Sequence, residues 1–218
     1  MAVKRIGIRI ASVLAFAFLL SISGAAAAAE VIKSFHSDIA LDKTDELTVT
    51  ETIVVNVEND KINHGIYRDL PFPPLAKRDA EGFEVVSVEL DGHSEDFSVE
   101  EMDNGTRIYV GSADRIVPVG VHEYRLKYKT IGTVDYNVGN NLLSWHVTGT
   151  WEFPMEKVSA EIRLPEGASV QGTVINTSGF TGGKIYKNDD GVVIVGAEGG
   201  LPKGASISIS VSISQDYY

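Results

Sequence analysis

Cysteine is absent from all 218 residues. That excludes a disulfide framework, thiol catalysis and a cysteine-based zinc site, and also a lipid-modified cysteine behind an export signal. The familiar catalytic motifs are missing too: there is no H-E-x-x-H, no G-x-S-x-G and no phosphate-binding loop. The histidines at 36, 64, 93, 122 and 146 are scattered. A nucleophile would have to be Ser, Thr or a carboxylate, and none has a recognisable partner. Beyond residue 29 no stretch has helical periodicity, no apolar run is long enough to span a bilayer, and no repeat or low-complexity linker occurs.

Positive charge is scarce. The chain carries 19 Lys and Arg against 30 Asp and Glu, a formal charge of −11. Its first 29 residues read as a targeting segment. Lys4, Arg5 and Arg9 form a basic start, Ile10 to Ile22 an apolar core, and Ser23 to Ala29 the small residues a signal peptidase accepts. Cleavage is expected after Ala29 or Ala27; the other reading is an uncleaved anchor, since Ile10 to Ala29 is about long enough to cross a bilayer. Removing three basic residues and no acid takes the charge from −11 to −14. Nucleic acid and anionic lipid are poor partners for such a chain, and cations, basic partners or plain solubility are the better readings. About 190 residues bury some 70% of their extended surface, enough for a core without staples.

What remains alternates. Leu47 to Val57 places apolar residues against Thr, Glu and Asn, the pattern of a strand with one wet face. Phe83 to Leu90 ends at Asp91-Gly92, a hairpin signal, and Asn104-Gly105 is another. Val121 to Lys129, Val158 to Leu164 and Ile207 to Ser214 alternate in the same way. The serine face of the last is so poor in charge that it needs neighbouring strands. Short strands with turn signals every ~8–12 residues predict an all-β, antiparallel β-sandwich, Ig-like or related, with no substantial helix after residue 29. The domain is expected over 30–218, with a subdomain break near 165–168.

One stretch stands apart: His64-Gly65-Ile66-Tyr67-Arg68-Asp69-Leu70-Pro71-Phe72-Pro73-Pro74. Three prolines within four residues remove ladder donors, so this is no central strand. It reads as an ordered crossing loop or edge segment pinned by Tyr67 and Phe72.

That stretch resembles a family motif, as do Leu47 to Ile53, Val85 to Gly92, Ile108 to Gly111, His122 to Tyr128, Leu143 to Trp151 and Pro154 to Ala160. Together and in this order they resemble domain-of-unknown-function family 2207, bacterial predicted membrane proteins. The resemblance implies an extracytoplasmic N-terminal β-domain, usually followed by membrane helices, and brings no activity or ligand. No anchor follows Tyr218, so the expectation is a freely exported version or a fragment without its anchor.

Candidate binding residues are His64, Tyr67, Arg68, Asp69, Trp145, His146 and Trp151. His64, Arg68 and Asp69 line a surface pocket with His146 if the two blocks meet, Arg68 offering a bidentate fork to a carboxylate or phosphate. The alternative is that Arg68 and Asp69 satisfy a buried polar network. Trp145 and Trp151 form a platform for sugar rings or fill the core. Asp42, Asp45 and Glu46, and Asn188 to Gly191, offer hard oxygens but lack an EF-hand pattern, so no metal, cofactor or catalytic residue is assigned. The expected function is a non-catalytic, exported module of the cell envelope, binding or assembling with an envelope protein or polysaccharide. The alternatives are a carbohydrate-binding module or a glycoside hydrolase using two carboxylates.

Overall fold

The computed structural model describes residues 29–71, 82–136, 141–189 and 191–214, with side chains 188 and 189 left aside. Phe72, Pro73, Pro74 and residues 1–28 lie outside these residues. The described residues form fifteen strands, numbered in chain order, and no helix.

The largest sheet has eight strands. Its order is β13 (Gly183–Asp189), β14 (Val192–Ala197), β11 (Val158–Arg163), β1 (Val31–Leu41), β2 (Leu47–Val57), β8 (Gly120–Thr130), β4 (Glu84–Leu90), β5 (His93–Ser94). A four-stranded sheet runs β12 (Val170–Ser178), β15 (Ser206–Ile213), β10 (Asn141–His146), β9 (Val134–Asp135). A three-stranded sheet runs β3 (Gly65–Pro71), β7 (Gly105–Gly111), β6 (Phe97–Met102). Every pairing is antiparallel except β1 with β11. That exception follows from connectivity, since a strand reached only after a long excursion through the small sheets is not bound to hairpin geometry.

The alternation dictates the layers. In β2, Leu47, Val49, Ile53, Val55 and Val57 are buried together with Glu51, while the even-numbered residues between them are partly exposed. In β15, Ile207, Ile209, Val211 and Ile213 are buried, and the serines lie on the other face. Its charge-poor backbone is protected as the composition demands, because β12 and β10 flank it on both sides. The buried residues of all three sheets belong to one core, so the protein is an all-β sandwich in which one layer is divided.

The motif stretch is an edge element, and specifically an edge strand. β3 pairs with β7 alone, from Gly65 opposite Gly111 to Pro71 opposite Gly105. Gly65 sits at φ 143°, and a Cβ there would collide with the Val110 carbonyl. Only glycine lets the two backbones approach so closely. At 165–168 the chain turns, with the Ala168 N–H donating to the Pro165 carbonyl at 3.0 Å. There it leaves the large sheet, through β11, for the four-stranded one, through β12.

Candidate functional site

The two unusual blocks of sequence meet, and Arg68 joins them. Arg68 lies between Ile66 and Leu70 on the inward face of β3 and is 1% exposed. Its Nε donates to Glu51 Oε2 and its Nη2 to Glu51 Oε1, each at 2.6 Å. Nη2 also donates to the Val147 carbonyl at 3.2 Å, and Nη1 to the Asp69 carbonyl at 2.8 Å. Tyr128 on β8 donates its hydroxyl to Glu51 Oε1 at 2.8 Å. One guanidinium therefore ties the three-stranded sheet to the large sheet and to the chain beyond β10.

The surroundings fit a buried charge pair. Burial works against the Arg68 charge, but the Glu51 carboxylate more than offsets it and raises the arginine pKa. Burial, with Glu51 beside it, pushes the Tyr128 hydroxyl well up, so it remains a donor. The Arg68 guanidinium lies 5.7 Å from the Phe35 ring centroid. Phe35 meets Trp151 edge-on at 6.4 Å, and Tyr128 meets Trp145 at 6.4 Å and Phe83 at 5.7 Å. Gly149, at φ 64°, completes the packing: a Cβ there would stand 2.5 Å from Arg68 Nη1 and 3.0 Å from the Asp69 carbonyl oxygen.

This places the tryptophans. Trp145 and Trp151 are 6% and 7% exposed and belong to the core, with Trp151 Nε1 donating to the Thr148 carbonyl at 2.9 Å. Neither ring is available as a sugar platform. Tyr67 does not pin β3 from within; it is 56% exposed. The residue that anchors the strand is its neighbour Arg68, because Tyr67 has the outward parity. Phe72, the other expected pin, lies outside the described residues.

Asp69 also faces outward. It accepts from Arg107 Nε at 2.6 Å and Nη2 at 2.7 Å, a bidentate pair in which both side chains are about one-third exposed. That hydrogen bonding to Asp69 raises the Arg107 pKa. The Arg107 guanidinium lies 4.9 Å over the Tyr67 ring, which is itself 4.9 Å from the Tyr109 ring.

Beside this pair is a cavity of about 300 Å³ between the two small sheets. Asp69, Leu70 and Pro71 line one side, with Met102, Asn104 and Thr106 from the β6–β7 hairpin. His146, Thr150 and Ser206 close the other. The structure thus brings Asp69 and His146 to one pocket. Arg68 stays behind the wall, and His64 is elsewhere, with its Nδ1 2.9 Å from the Arg115 carbonyl. His146 Nδ1 is 2.9 Å from Ser208 Oγ. Burial lowers the His146 pKa, and the Arg68 charge lowers it further.

The oxygen-rich turn at 42–46 is engaged in its own geometry. The Asp42 carboxylate accepts the N–H groups of Thr44 at 2.7 Å and Glu46 at 3.0 Å, and Glu46 pairs with Lys129 at 2.8 Å. Residues 188–190 lie outside the described side chains. Among the described residues, no three His, Asp or Glu side chains gather as metal ligands would.

Sequence reasoning missed Glu51 and Tyr128. A signal for Glu51 existed: it is the one carboxylate at the apolar parity of β2, between Val49 and Ile53. Arg68 occupies the same kind of position between Ile66 and Leu70. Two opposite charges at core parity on two strands predict each other, because neither is tolerated alone.

Residues 31–213 match the family described as "Predicted membrane protein (DUF2207) N-terminal domain". Among curated proteins, the uncharacterized protein YciQ of Escherichia coli (strain K12) is 28% identical over 165 residues, which cover 73% of this chain and 26% of YciQ. The chain therefore spans about a quarter of the length of that relative. Native yeast LTA4 hydrolase aligns with 84% of this chain and 29% of its own, at 12% identity and a TM-score of 0.53. The same hydrolase in complex with Bestatin gives 12% identity and 0.53 again. At such identity the likeness is one of fold alone.

Proposed function

The chain belongs to the DUF2207 family of predicted membrane proteins, as its N-terminal domain, and from that premise we propose a non-catalytic, exported β-sandwich module of the bacterial cell envelope that acts by binding or assembly. The observation carrying this reading is that the side chains best suited to chemistry are already engaged within the fold. Arg68 directs its donors to Glu51, Asp69 and Val147. Of the described residues lining the cavity, Asp69 is the sole carboxylate, and Arg107 grips both its oxygens. A glycoside hydrolase needs two carboxylates facing one another across the substrate, roughly 5–9.5 Å apart. The basic, apolar leader supports placement outside the cytoplasm.

Photo-cross-linking in intact cells tests this, with a photoreactive residue replacing the exposed Tyr67. Discrete adducts on a chain that external protease digests are the expected result. A chain that remains in the cytoplasm, or forms no adduct, overturns the reading.

A further inference from the structure

The geometry points to the cavity between the two small sheets as a binding site for a neutral carbohydrate, with Tyr67 as the aromatic surface at its rim. This deepens the binding role proposed above and rests on it.

The chain holds 30 acidic and 19 basic residues, yet the described residues lining this cavity are electrically balanced. Its carboxylate, Asp69, is neutralised by the two Arg107 hydrogen bonds. Its histidine resists protonation through burial and the nearby Arg68 charge. Among the described lining residues an ionic ligand finds no uncompensated partner, whereas a neutral molecule enters without separating an ion pair.

Asn104, Thr106, Thr150 and Ser206 are among the lining residues, a polar set that suits a ligand able to donate and accept at many points. Pro71 and Met102 add apolar residues to the lining, against which the C–H face of a sugar ring packs. A volume of about 300 Å³ lies at the small end of ligand sites and suits one or two sugar rings.

Tyr67 shares its face of β3 with Asp69, two residues on, and is 56% exposed. Arg107 links them, hydrogen-bonded to one and lying over the other. An exposed tyrosine beside a planar, bidentate ion pair offers a stacking surface next to fixed polar groups. An extended peptide adding to the edge of β3 is less well served, because the Asp69 carbonyl is already taken by Arg68 Nη1 at 2.8 Å.

Amide NMR titration of the purified chain provides the test. The probes are cellotriose, chitotriose and maltotriose, with N-acetyl-trialanine amide as a neutral peptide of similar size. The expected result is saturable shifts at Asn104, Thr106, His146 and Thr150 with at least one sugar, at a Kd of roughly 1 mM. Thr150→Trp, which fills the cavity, should weaken binding at least about 10-fold, and Tyr67→Ala about 3–10-fold, the span of the tenfold-per-1.4 kcal/mol scale. Both sites are exposed, so the thermal midpoint should not move. No saturable shift with any sugar to about 20 mM, about 20 times that Kd, overturns the proposal. So does binding indifferent to Thr150→Trp, or equal binding of the peptide. None of these outcomes alters the cross-linking result, so the broader reading stands or falls separately.

Discussion

Arg68 and Asp69 are adjacent in the chain and each forms a bidentate ion pair, yet the two pairs have opposite circumstances. Arg68–Glu51 is inside, with side chains 1% and 0% exposed; Asp69–Arg107 is outside, at 37% and 33%. The geometry is nearly the same, with all four hydrogen bonds between 2.6 and 2.7 Å. What differs is the dielectric and the alternative partner. Water replaces a lost partner at Asp69 but not at Glu51, so one pair is an obligation of the fold and the other an adjustable surface feature.

The largest effect expected is from Arg68→Ala. It leaves the Glu51 carboxylate buried with only Tyr128 to serve it, and should cost about 3–5 kcal/mol by denaturant unfolding. The double variant Glu51→Leu with Arg68→Met sharpens the point: it should recover most of that loss, because two apolar side chains leave no orphaned charge. A double variant as unstable as the single one would mean that packing, not the unpaired charge, dominates.

Gly149→Ala comes next. It places a methyl group against Arg68 Nη1 at a φ of 64°, and should destabilise by about 1–3 kcal/mol. If instead it is neutral in thermal unfolding, the inner clamp is looser than its distances imply. On the outer pair, Arg107→Ala should cost about 1 kcal/mol or less, since both partners regain water. A loss as large as that of Arg68→Ala would erase the contrast between the two faces.

The smallest effect concerns pH. His146 has a folded pKa below its ordinary value of 6.5, through burial and then the Arg68 charge. The unfolded chain therefore binds the proton more readily. Its contribution to stability is complete above pH 6.5, is lost as pH falls from there, and levels off below the folded pKa. His146→Gln should flatten the midpoint's dependence across that window, and an unchanged slope would assign the acid sensitivity to other groups.

Much of the fold was legible in particular residues. Leu47 to Val57 alternates without interruption and forms β2 over that span. Asp91-Gly92 turns the chain with both residues at positive φ, 53° and 76°. The prolines after Leu70 marked β3 as an edge element. The site was less legible. Tyr67 reads as a pin of its stretch, whereas the parity of Ile66 and Leu70 assigns the inward role to Arg68. Trp145 and Trp151 admitted two readings, since a tryptophan in a short apolar run serves a core or a platform equally well until its neighbours are known.

The sequence by itself determined the all-β class, the strand parities and the uncharged serine face of β15, because these follow from period-two alternation and turn chemistry, which are local. Only the tertiary structure decided that Glu51 and Arg68, seventeen residues apart, are partners, that one layer of the sandwich is two sheets, and that Asp69 and His146 share a cavity. Those outcomes depend on which strands become neighbours. Pairing of distant strands is fixed by the packing of the whole core, and no stretch of chain carries it alone.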